Sequence, residues 1–526
     1  MHGNSTRENR EPPSAPVAGN AADRLEKAMS RESNMHADGE SDGCVVPTKC
    51  SNKGGQPLAE GMEGRRPIKE NIEQATAPRT QSRISAGSDL LGVRKVARKD
   101  KRTRFTALLH HVTVDLLRVS FYALKREAAP GIDGVTWKEY ETGLDEKLAD
   151  VHSRIHLGTY RAQPSKRAYI PKADGRQRPL GIAALEDKVV QQAVGTVLSQ
   201  IYEEDFLGFS YGFRPGRGQH QALDALWVGI MRKKVNWILD ADIRSFFDHL
   251  SHEWLVKFIE HRVADRRILR LIQKWLRAGV SEEGKWSKTE VGTPQGAVAS
   301  PLLANVYLHY VFDLWVKHWR KHQATGNVMV VRYADDIVAG FEHRADAERF
   351  LQEWKDRLQK FGLELHPDKT RLIEFGREAA ENRKQRGEGK PETFNFLGFT
   401  HICGTTRKTG RFTVKRKTVQ KRLRTKLKEL QEELRRRWHE PVAEVGKWLR
   451  SVVQGYLNYH AVPGNMDSLK SFRTQVIWHW YRALRRRSQK SRMTWERFGL
   501  LVARWISRAK ILHPHPDLRF DAKYLR

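Results

Sequence analysis

The tetrapeptide Tyr333-Ala334-Asp335-Asp336 has the residue types that could carry metal-dependent chemistry. Its two adjacent carboxylates repel each other, and short β-rich runs, Val328 to Tyr333 and Ile337 to Phe341, lie on either side. This pattern predicts a hairpin with the acids at its turn. A divalent cation would relieve the repulsion, and aspartate oxygens are ligands that suit Mg²⁺. Taken alone, the tetrapeptide fits an ordinary acidic surface turn equally well.

A second acidic segment lies upstream, where another β-rich run comes to its end. Val235 to Ile243 is predicted to form a strand, and Asp242 lies near the end of that strand. Asp242, Asp335 and Asp336 together could hold two Mg²⁺ ions, which activate a 3′-hydroxyl and stabilise a leaving pyrophosphate. Asp242 could instead be a helix N-cap or a surface acid. The other acids of this segment are predicted to have only such structural roles: Asp240 and Asp248.

The elements that must position these acids read as an α+β mixture. Between about 165 and 400, β-rich runs alternate with amphipathic helices. We predict helices over Arg104 to Lys125 and Leu255 to Leu276, and another that begins with Ser300 as N-cap and Pro301 at its first position. Residues 377 to 393 are predicted to be a polar loop.

After about 411 the pattern predicts nearly all helix. An apolar stripe at helical spacing runs from Val419 to Leu434, and Lys and Arg occupy the other face. A charge run usually marks a solvated face, but nearly all of these charges share one sign, which favours contact with nucleic acid. Downstream, Trp478, Trp480 and Tyr481 could stack bases or fill a helical core.

Composition favours the same class of partner. The chain has 526 residues, with 94 Lys and Arg against 62 Asp and Glu, and a formal net charge of +32. Such an excess repels itself unless an anion neutralises it, so a polyanion is the expected partner and nucleic acid comes first. A basic protein without such a partner is the alternative. Residues 1–85 are polar and without apolar periodicity, which predicts a disordered leader.

Cysteine content and hydropathy bound the remaining classes. Cys44, Cys50 and Cys403 include no CxxC pair, so neither a disulfide framework nor a zinc knuckle is supported. The sequence has no apolar run long enough to span a membrane and no apolar secretory signal near its N-terminus. We therefore expect a cytoplasmic protein without a membrane partner.

Several segments, in the same order along the chain, resemble the motifs of group II intron-encoded reverse transcriptases and maturases of the endonuclease-lacking type. The resemblance covers about 90 to 526. Besides the two acidic segments, it rests on Ala129 to Gly134, Tyr169 to Lys172, Arg178 to Ile182, Gly292 to Gly296, Ser300 to Asn305, Gly362 to Thr370, Phe394 to Phe399 and Trp448 to His460.

The resemblance implies a right-hand polymerase fold of the α+β class. Fingers and a palm with an antiparallel sheet would be followed by an all-helical thumb, also called domain X or the maturase domain. The implied organisation is a leader at 1–85, an N-terminal helical extension at 86–150, fingers and palm at 151–400, a thumb at 411–510 and a tail at 511–526.

The resemblance also implies a catalytic group. Asp242, Asp335 and Asp336 would be the metal ligands, for two Mg²⁺ ions with Mn²⁺ able to substitute. Lys369 would be the general acid that protonates pyrophosphate, although a solvated lysine is the plainer alternative.

A set of substrate-binding residues follows from the same resemblance. Lys172 and Arg178 would hold the incoming triphosphate, and Gln295 would contact the nucleotide sugar. Phe247 would be a steric gate that leaves no room for a 2′-hydroxyl, and Tyr333 would lie among the substrate-binding residues. Surface charge is the alternative for the cations, and a core position is the alternative for Phe247.

Two further features of the resemblance concern the end of the palm and the end of the chain. Phe396 to Phe399 would form a primer grip, although its apolar alternation would equally serve a core strand.

The chain ends before the Cys- and His-containing endonuclease segment of some members. Second-strand cleavage is therefore not expected, and intron mobility would depend on other primers. A metal role for His513 and His515 is not expected, because no other ligands accompany them.

The implied activity is RNA-directed DNA synthesis. The protein would extend a DNA primer with dNTPs on an RNA template, and would bind intron RNA and a DNA target to assist splicing and retrohoming. One alternative is a non-enzymatic splicing cofactor whose polymerase has decayed, and another is a domesticated defence enzyme of the retron or CRISPR-associated kind. The complete set of acids and of substrate-binding residues favours the polymerase.

Overall fold

The computed structural model of the chain describes residues 90–171, 177–282, 285–287, 291–293, 296–406, 408–487 and 493–519. These residues form a mixed helix and sheet structure, as predicted. The strands are β1 (Ser165–Pro171), β2 (Gln177–Ile182), β3 (Trp237–Asp242), β4 (Val280–Glu282), β5 (Lys285–Ser287), β6 (Val328–Tyr333), β7 (Asp336–Phe341), β8 (Arg371–Glu374), β9 (Phe394–Phe396), β10 (Phe399–Thr405) and β11 (Phe412–Thr418). The predicted leader lies outside the described residues.

Helices make up most of the rest of the described chain. After a helix at 90–99, the α-helices are Val114–Ala123, Trp137–Glu141, Leu144–Leu157, Leu185–Asp205, Gln219–Arg232, Phe246–His249, His252–Glu260, Arg266–Arg277, Ser300–Leu308, Leu314–His322, Arg344–Lys360, Ala379–Gln385, Gln420–Arg436, Val442–His460, Met466–Arg486 and Trp495–Trp505. A π-helical segment, His309–Asp313, joins two of them. Within the described residues, no helix combines the length and apolar character that crossing a membrane requires.

The strands form three sheets. The first has the order β2-β1-β4-β5, the second β6-β7-β3-β8 and the third β11-β10-β9. In the second sheet all three strand pairs are antiparallel, which agrees with the antiparallel sheet predicted for the palm. We call it the central sheet.

Both faces of the central sheet are buried. Leu239, Val330 and Ala339 pack with the N-terminal helices in one large core, whereas Ile238, Val331 and Val338 pack with helix Gln219–Arg232 and the third sheet in another. Because successive side chains of a strand point to opposite faces, this alternation fixes the face on which each strand residue lies.

A third core belongs to the C-terminal helices. Leu423, Leu427, Leu430 and Leu434 form the predicted apolar stripe of helix Gln420–Arg436, and they are buried with residues of the three helices that follow. This helical unit begins later than predicted. Residues 412–418 form β11, which pairs along its whole length with β10, so the strand completes the third sheet.

The predicted extents of two helices are wrong, and both errors involve the contacts that Asp265 makes. In the region Arg104 to Lys125, a short 3-10 helix at Leu109–His111 precedes an α-helix that begins only at Val114, where the Thr113 side chain caps the α-helix by accepting from the Leu116 amide. Leu255 to Leu276 is broken after Glu260 and begins again at Arg266. In the break, Asp265 caps the second helix and also accepts hydrogen bonds from the amides of Leu108 and Leu109.

Two other local predictions need correction. Part of the predicted polar loop at 377–393 forms the short helix Ala379–Gln385. The helix predicted to start with Ser300 as N-cap has Ala299 in that position, and Pro301 lies in its first turn. A shift of one residue is within the ordinary uncertainty of helix boundaries.

Candidate active site

The hairpin predicted at the acidic tetrapeptide is present. β6 and β7 pair antiparallel with Tyr333 opposite Asp336, so Ala334 and Asp335 alone form the turn. Ala334 has a φ of 57°, in the left-handed region that an alanine enters only at some energetic cost. Strain of this kind persists where the surroundings fix the backbone, and it gathers at functional sites.

A buried arginine fixes this turn from below. Arg332 is fully buried in β6, and its guanidinium donates to both carboxylate oxygens of Asp313, at 2.7 and 2.6 Å. The same guanidinium donates to the Asn305 side chain at 3.0 Å and to the Ala334 carbonyl at 3.1 Å. The bond to Ala334 ties the strained residue of the turn to the core.

A close approach of two backbones holds the turn from the other side. The side-chain amide of Asn305 donates a hydrogen bond to the Gly212 carbonyl at 2.7 Å. A Cβ atom at Gly212 would lie 2.3 Å from the Ala334 nitrogen, so only glycine fits there. We define the turn-support network as Asn305, Asp313 and Arg332. Asp313 lies at the end of the π-helical segment, and such segments occur often at functional sites.

The third predicted acid lies next to the turn. Asp242 is the last residue of β3 and is directly opposite Asp336 of β7. Residues paired in this way project from the same face of a sheet and have close Cβ atoms. By the alternation of the strands, this is the face that carries Ile238 and Val338, toward the third sheet. The structure therefore brings the two acidic segments together, as the sequence predicted.

Burial and neighbouring negative charges raise the pKa of two of these carboxyl groups, Asp335 and Asp336. Asp336 is the one exposed residue of β7, yet desolvation by the surrounding protein, followed by the charges of Asp335 and Asp242, raises its pKa to about 7. Desolvation and the charge of Asp242 also raise the pKa of Asp335, against the opposing charges of Arg178 and Lys369. The site thus concentrates negative charge that only a cation can neutralise without protonation.

Lys369 already provides one such cation. Its ammonium lies 2.5 Å from Oδ2 of Asp242, and the lysine side chain is about half exposed (54%). The backbone brings them together, because the His366 amide donates to the Asp242 carbonyl at 2.8 Å and Lys369 follows in the next turn. The predicted general acid is therefore in contact with a predicted metal ligand.

The chemistry of these residues fits a divalent cation. Asp242, Asp335 and Asp336 offer hard oxygen donors, and the raised pKa values of the last two show that extra positive charge is needed among them. Within the described residues, however, no three acids, histidines or cysteines are already gathered as a ligand set. The Lys369 ammonium contacts only Oδ2 of Asp242, so Oδ1 of that carboxylate remains available to an ion.

The pKa of Asp336 has a consequence for stability. Its carboxyl has a pKa of about 7 in the folded protein against an ordinary value of 3.8, so it holds its proton more tightly when the chain is folded. The free energy of unfolding therefore falls as pH rises from about 4 to 7. In EDTA, we expect Asp336→Asn to raise the melting temperature relative to wild type, by a difference that is larger at pH 8 than at pH 5.

A thermal melt of both proteins at the two pH values measures this difference. Added Mg²⁺ should stabilise the wild type more than the variant, because the asparagine weakens the site. Asp356→Asn is the matched control, since Asp356 is exposed on helix Arg344–Lys360, and it should melt like wild type. A lower melting temperature for Asp336→Asn at pH 8 would contradict the predicted repulsion.

Two of the predicted substrate-binding residues lie beside these acids. Arg178 is exposed on β2, and its positive charge lowers the pKa of Asp335, so it acts on the acidic turn. Phe247 is half-buried, whereas Phe246 is buried in the core, in agreement with the division predicted for the pair. The Phe247 carbonyl accepts a hydrogen bond from the Thr293 amide at 2.8 Å, so segment 291–293 lies next to the backbone of Phe247.

The remaining predicted contacts are placed differently. Tyr333 is only 8% exposed and belongs to the core between the central sheet and the third sheet, and burial raises its pKa to about 12. This placement favours a structural role for its ring, and its contact with substrate stays a prediction. Lys172 and Gln295 lie outside the described residues.

The predicted primer grip is mainly a core hairpin. Phe394, Phe396 and Phe399 are buried, whereas the turn between β9 and β10 contacts the C-terminal helices. There, the Tyr459 hydroxyl donates to the Leu397 carbonyl at 2.8 Å. This hairpin therefore joins the central region to the helical unit, and a grip on the primer stays a prediction.

Sequence patterns do not identify the turn-support network. Asn305 falls within one of the motifs, but nothing in that motif predicts its contact with the turn, and Arg332 and Asp313 are not among the predicted residues. One signal is present, because Arg332 is a lone charge within the apolar run Val328 to Tyr333, and a charge at a buried strand position needs a partner.

Comparisons with known proteins agree with this geometry. A family model described as reverse transcriptase (RNA-dependent DNA polymerase) matches residues 170–401, which contain all three acids. Protein YkfC of Escherichia coli K12 is 32% identical over 298 residues, which cover 49% of this chain and 78% of YkfC. The group II intron-encoded protein LtrA of Lactococcus lactis is 36% identical over 225 residues, 41% of this chain and 37% of LtrA. Nuclear intron maturase 3 of Arabidopsis thaliana is 28% identical over 174 residues, 29% of this chain and 24% of the maturase.

The chain belongs to the group II intron reverse transcriptase and maturase family. Its reverse transcriptase domain has RNA-directed DNA polymerase activity as its characteristic chemistry, and domains of this family use divalent metal ions. Nucleic acids, both RNA and DNA, are the partners of this family. The chain spans just over a third of the length of LtrA.

Proposed function

We propose that this group II intron reverse transcriptase extends a DNA primer on an RNA template at the site formed by Asp242, Asp335 and Asp336. The observation that carries the proposal is the pairing of Asp242 with Asp336 across β3 and β7, beside the strained turn that presents Asp335. In the right-hand arrangement we propose, the central sheet is the palm, the first sheet belongs to the fingers, and the helices from Gln420 form the thumb.

The three aspartates would hold two Mg²⁺ ions, with Mn²⁺ able to substitute. When bound, the ions supply positive charge at the transferred phosphoryl group and favour the ionised 3′-hydroxyl. The chain's own residues orient the reactants around them. Arg178 would bind the triphosphate, which its charge effect on Asp335 supports. Lys369 would give a proton to the departing pyrophosphate, which its contact with Asp242 supports. Lys172 and Gln295 complete the proposed substrate contacts.

Phe247 is the proposed determinant of sugar selection. Its half-buried ring follows the strand that carries Asp242, and its carbonyl anchors segment 291–293. We expect Phe247→Val to make room for a 2′-hydroxyl and to reduce the preference for dTTP over UTP, measured as the ratio of kcat/KM values, by roughly 10- to 100-fold. Phe247→Tyr keeps the ring and should keep the preference. An unchanged ratio in a Phe247→Val protein that extends normally with dTTP would remove Phe247 from this role.

Intron RNA is the proposed second ligand. The helices from Gln420 carry rows of Lys and Arg on the faces opposite their apolar stripe, and such rows suit phosphates. We propose that these helices bind the intron's own RNA and thereby assist splicing and retrohoming. Binding should weaken steeply with added salt, because each neutralised phosphate releases counterions.

Primer extension on poly(rA) with oligo(dT), dTTP and Mg²⁺ tests the proposed polymerase. The full chain should extend the primer, and EDTA should stop the reaction. A folded chain that binds RNA but yields no product under these conditions would overturn the proposal and favour a splicing cofactor without polymerase activity.

A further inference from the structure

An aromatic and basic pocket lies on the C-terminal helices, outside the site just described. It is an open cavity of about 350 Å³ lined by five side chains, all from helix Met466–Arg486: Trp478, Tyr481, Arg482, Arg485 and Arg486. We call it the aromatic–arginine pocket. None of these residues belongs to the central sheet or to the turn-support network.

The helix that forms the pocket has two faces of different character. Trp480 is fully buried and Tyr481 is 8% exposed, and both belong to the core of the C-terminal helices. Trp478 is 45% exposed. Residues three and four apart share a helix face, so Trp478, Arg482 and Arg485 project together on the solvent side. The sequence left open whether these aromatics fill a core or stack bases, and in the structure Trp480 and Tyr481 belong to the core whereas Trp478 is exposed.

Two aromatic rings line the pocket, Trp478 and Tyr481, and a third ring outside it, Trp495, packs against both. Trp495, from the next helix, stacks on Tyr481 with centroids 4.0 Å apart and planes 19° apart. Trp478 meets Trp495 edge to face at 5.0 Å. The Tyr481 ring is held by this stack beneath the cavity, and Trp478 stands beside it with nearly half of its surface in solvent. Rigid aromatic surfaces of this kind are suited to stacking on a planar ligand.

The cationic groups around the rings have no acidic counterpart. Arg482 lies over the Trp478 ring at 5.8 Å and Arg485 over the Tyr481 ring at 5.9 Å. Arg482, Arg485 and Arg486 line the open cavity, and within the described chain none of them forms an ion pair. The sequence has no Asp or Glu between Asp467 and Glu496. The pocket therefore carries positive charge that an anionic ligand would neutralise.

We propose that the aromatic–arginine pocket binds an unpaired nucleotide of a single-stranded nucleic acid. The base would stack against the exposed face of Trp478, and the guanidinium groups would bind its flanking phosphates. A base inside a duplex is already stacked on its neighbours, so the pocket selects single strands. This inference rests on the proposed function only in naming nucleic acid as the partner, and it adds a contact separate from the polymerase site.

Photo-crosslinking locates the contact on the full chain. A hairpin primer–template first occupies the polymerase site, and a short single-stranded RNA that carries 5-iodouridine is then bound and irradiated. We expect the crosslinked peptide to come from helix Met466–Arg486. Crosslinks confined to other helices or to the central sheet would overturn the proposal.

Binding of the same oligonucleotide, measured by fluorescence anisotropy, tests the residues. Trp478→Ala and Arg482→Gln should each weaken binding roughly tenfold, whereas Trp478→Phe should stay close to wild type. Arg270→Gln removes an equal charge from an exposed position on helix Arg266–Arg277, outside the helices proposed to bind RNA, and controls for general electrostatics. Arg482→Gln does not alter the ring stack, so it tests the pocket even where Trp478→Ala lowers the melting temperature. Losses of affinity no larger than that of Arg270→Gln would overturn the proposal.

Further ligands identify the source of the nucleotide. Preference for oligo(rU) over oligo(dT) would assign the pocket to RNA, and equal binding would assign it to single strands of either kind. A duplex of the same length that binds as tightly, or an acidic peptide that competes as well as RNA, would overturn the proposal. Primer extension by Trp478→Ala on a preformed primer–template should stay normal. If the wild-type protein crosslinks to the RNA but does not extend a primer, the result would count against the proposed polymerase and would not affect the proposed pocket.

Discussion

Replacing Asp335 and Asp336 together by asparagine is expected to reduce primer extension by at least about 1,000-fold. Charge stabilisation by bound metal ions contributes several kcal/mol to such a reaction, and each ~1.4 kcal/mol corresponds to tenfold in rate. Asparagine keeps the shape of both side chains but removes two of the three negative charges. The measurement is the rate of dTTP incorporation on poly(rA) and oligo(dT) with saturating Mg²⁺.

The same variant should fold and bind RNA like wild type. Burial and the charges of Asp335 and Asp242 raise the pKa of Asp336 to about 7, and an asparagine in its place carries no charge to bury or repel, so the variant should be at least as stable as wild type without metal. Asp248→Asn, which neutralises a nearby exposed acid predicted to be structural, should extend the primer normally. Extension by the double variant at more than about a tenth of the wild-type rate would remove both acids from the proposed metal site.

The second large effect is expected at the turn-support network. Asp313 and Arg332 form a fully buried ion pair, with both side chains at 0% exposure. Asp313→Asn removes the charge and leaves a guanidinium buried without its partner, which typically costs about 3–5 kcal/mol. We expect the apparent melting temperature to fall by about 10 °C. Extension at permissive temperature should also fall, because Arg332 holds the Ala334 carbonyl of the acidic turn that we propose to be catalytic.

Two further variants separate stability from positioning. Glu348→Gln breaks an exposed ion pair with Arg344 and should cost less than about 1 kcal/mol. Asp313→Leu combined with Arg332→Met removes both buried charges, so it should regain part of the lost stability. Extension by this double variant should remain low, because it lacks the bond to Ala334. If the double variant regains its stability and extends the primer fully, Arg332 supports the fold but does not position the turn.

Local patterns were sufficient to predict the acidic hairpin. β-rich runs on both sides of two acids allow few other structures, and β6 and β7 follow the predicted runs to within a residue. The apolar stripe of helix Gln420–Arg436 was predicted for a similar reason, since one buried face at helical spacing is a property of the segment itself. The placement of Asp242 at the end of a strand belongs to this class as well.

Contacts distant in sequence explain the predictions that were wrong. Asp265 interrupts the helix predicted over Leu255 to Leu276, because its carboxylate also serves the amides of Leu108 and Leu109, more than 150 residues earlier. β11 continues an existing sheet instead of starting the helical unit, because β10 offers it a complete set of partners. Periodicity within a segment carries no information about either partner.

The sequence by itself determined the residue types on which the proposed chemistry rests: the three acids, the many basic residues, the excess of positive charge and the order of the motifs. These are properties of residue type and spacing, which are preserved whatever the chain does elsewhere. Only the tertiary structure decided that Asp242 faces Asp336, that Arg332 holds the turn, and that Trp478 is exposed while Trp480 is buried. Strand register, buried ion pairs and the exposed face of a helix depend on elements far apart in the chain, and packing alone brings those elements together.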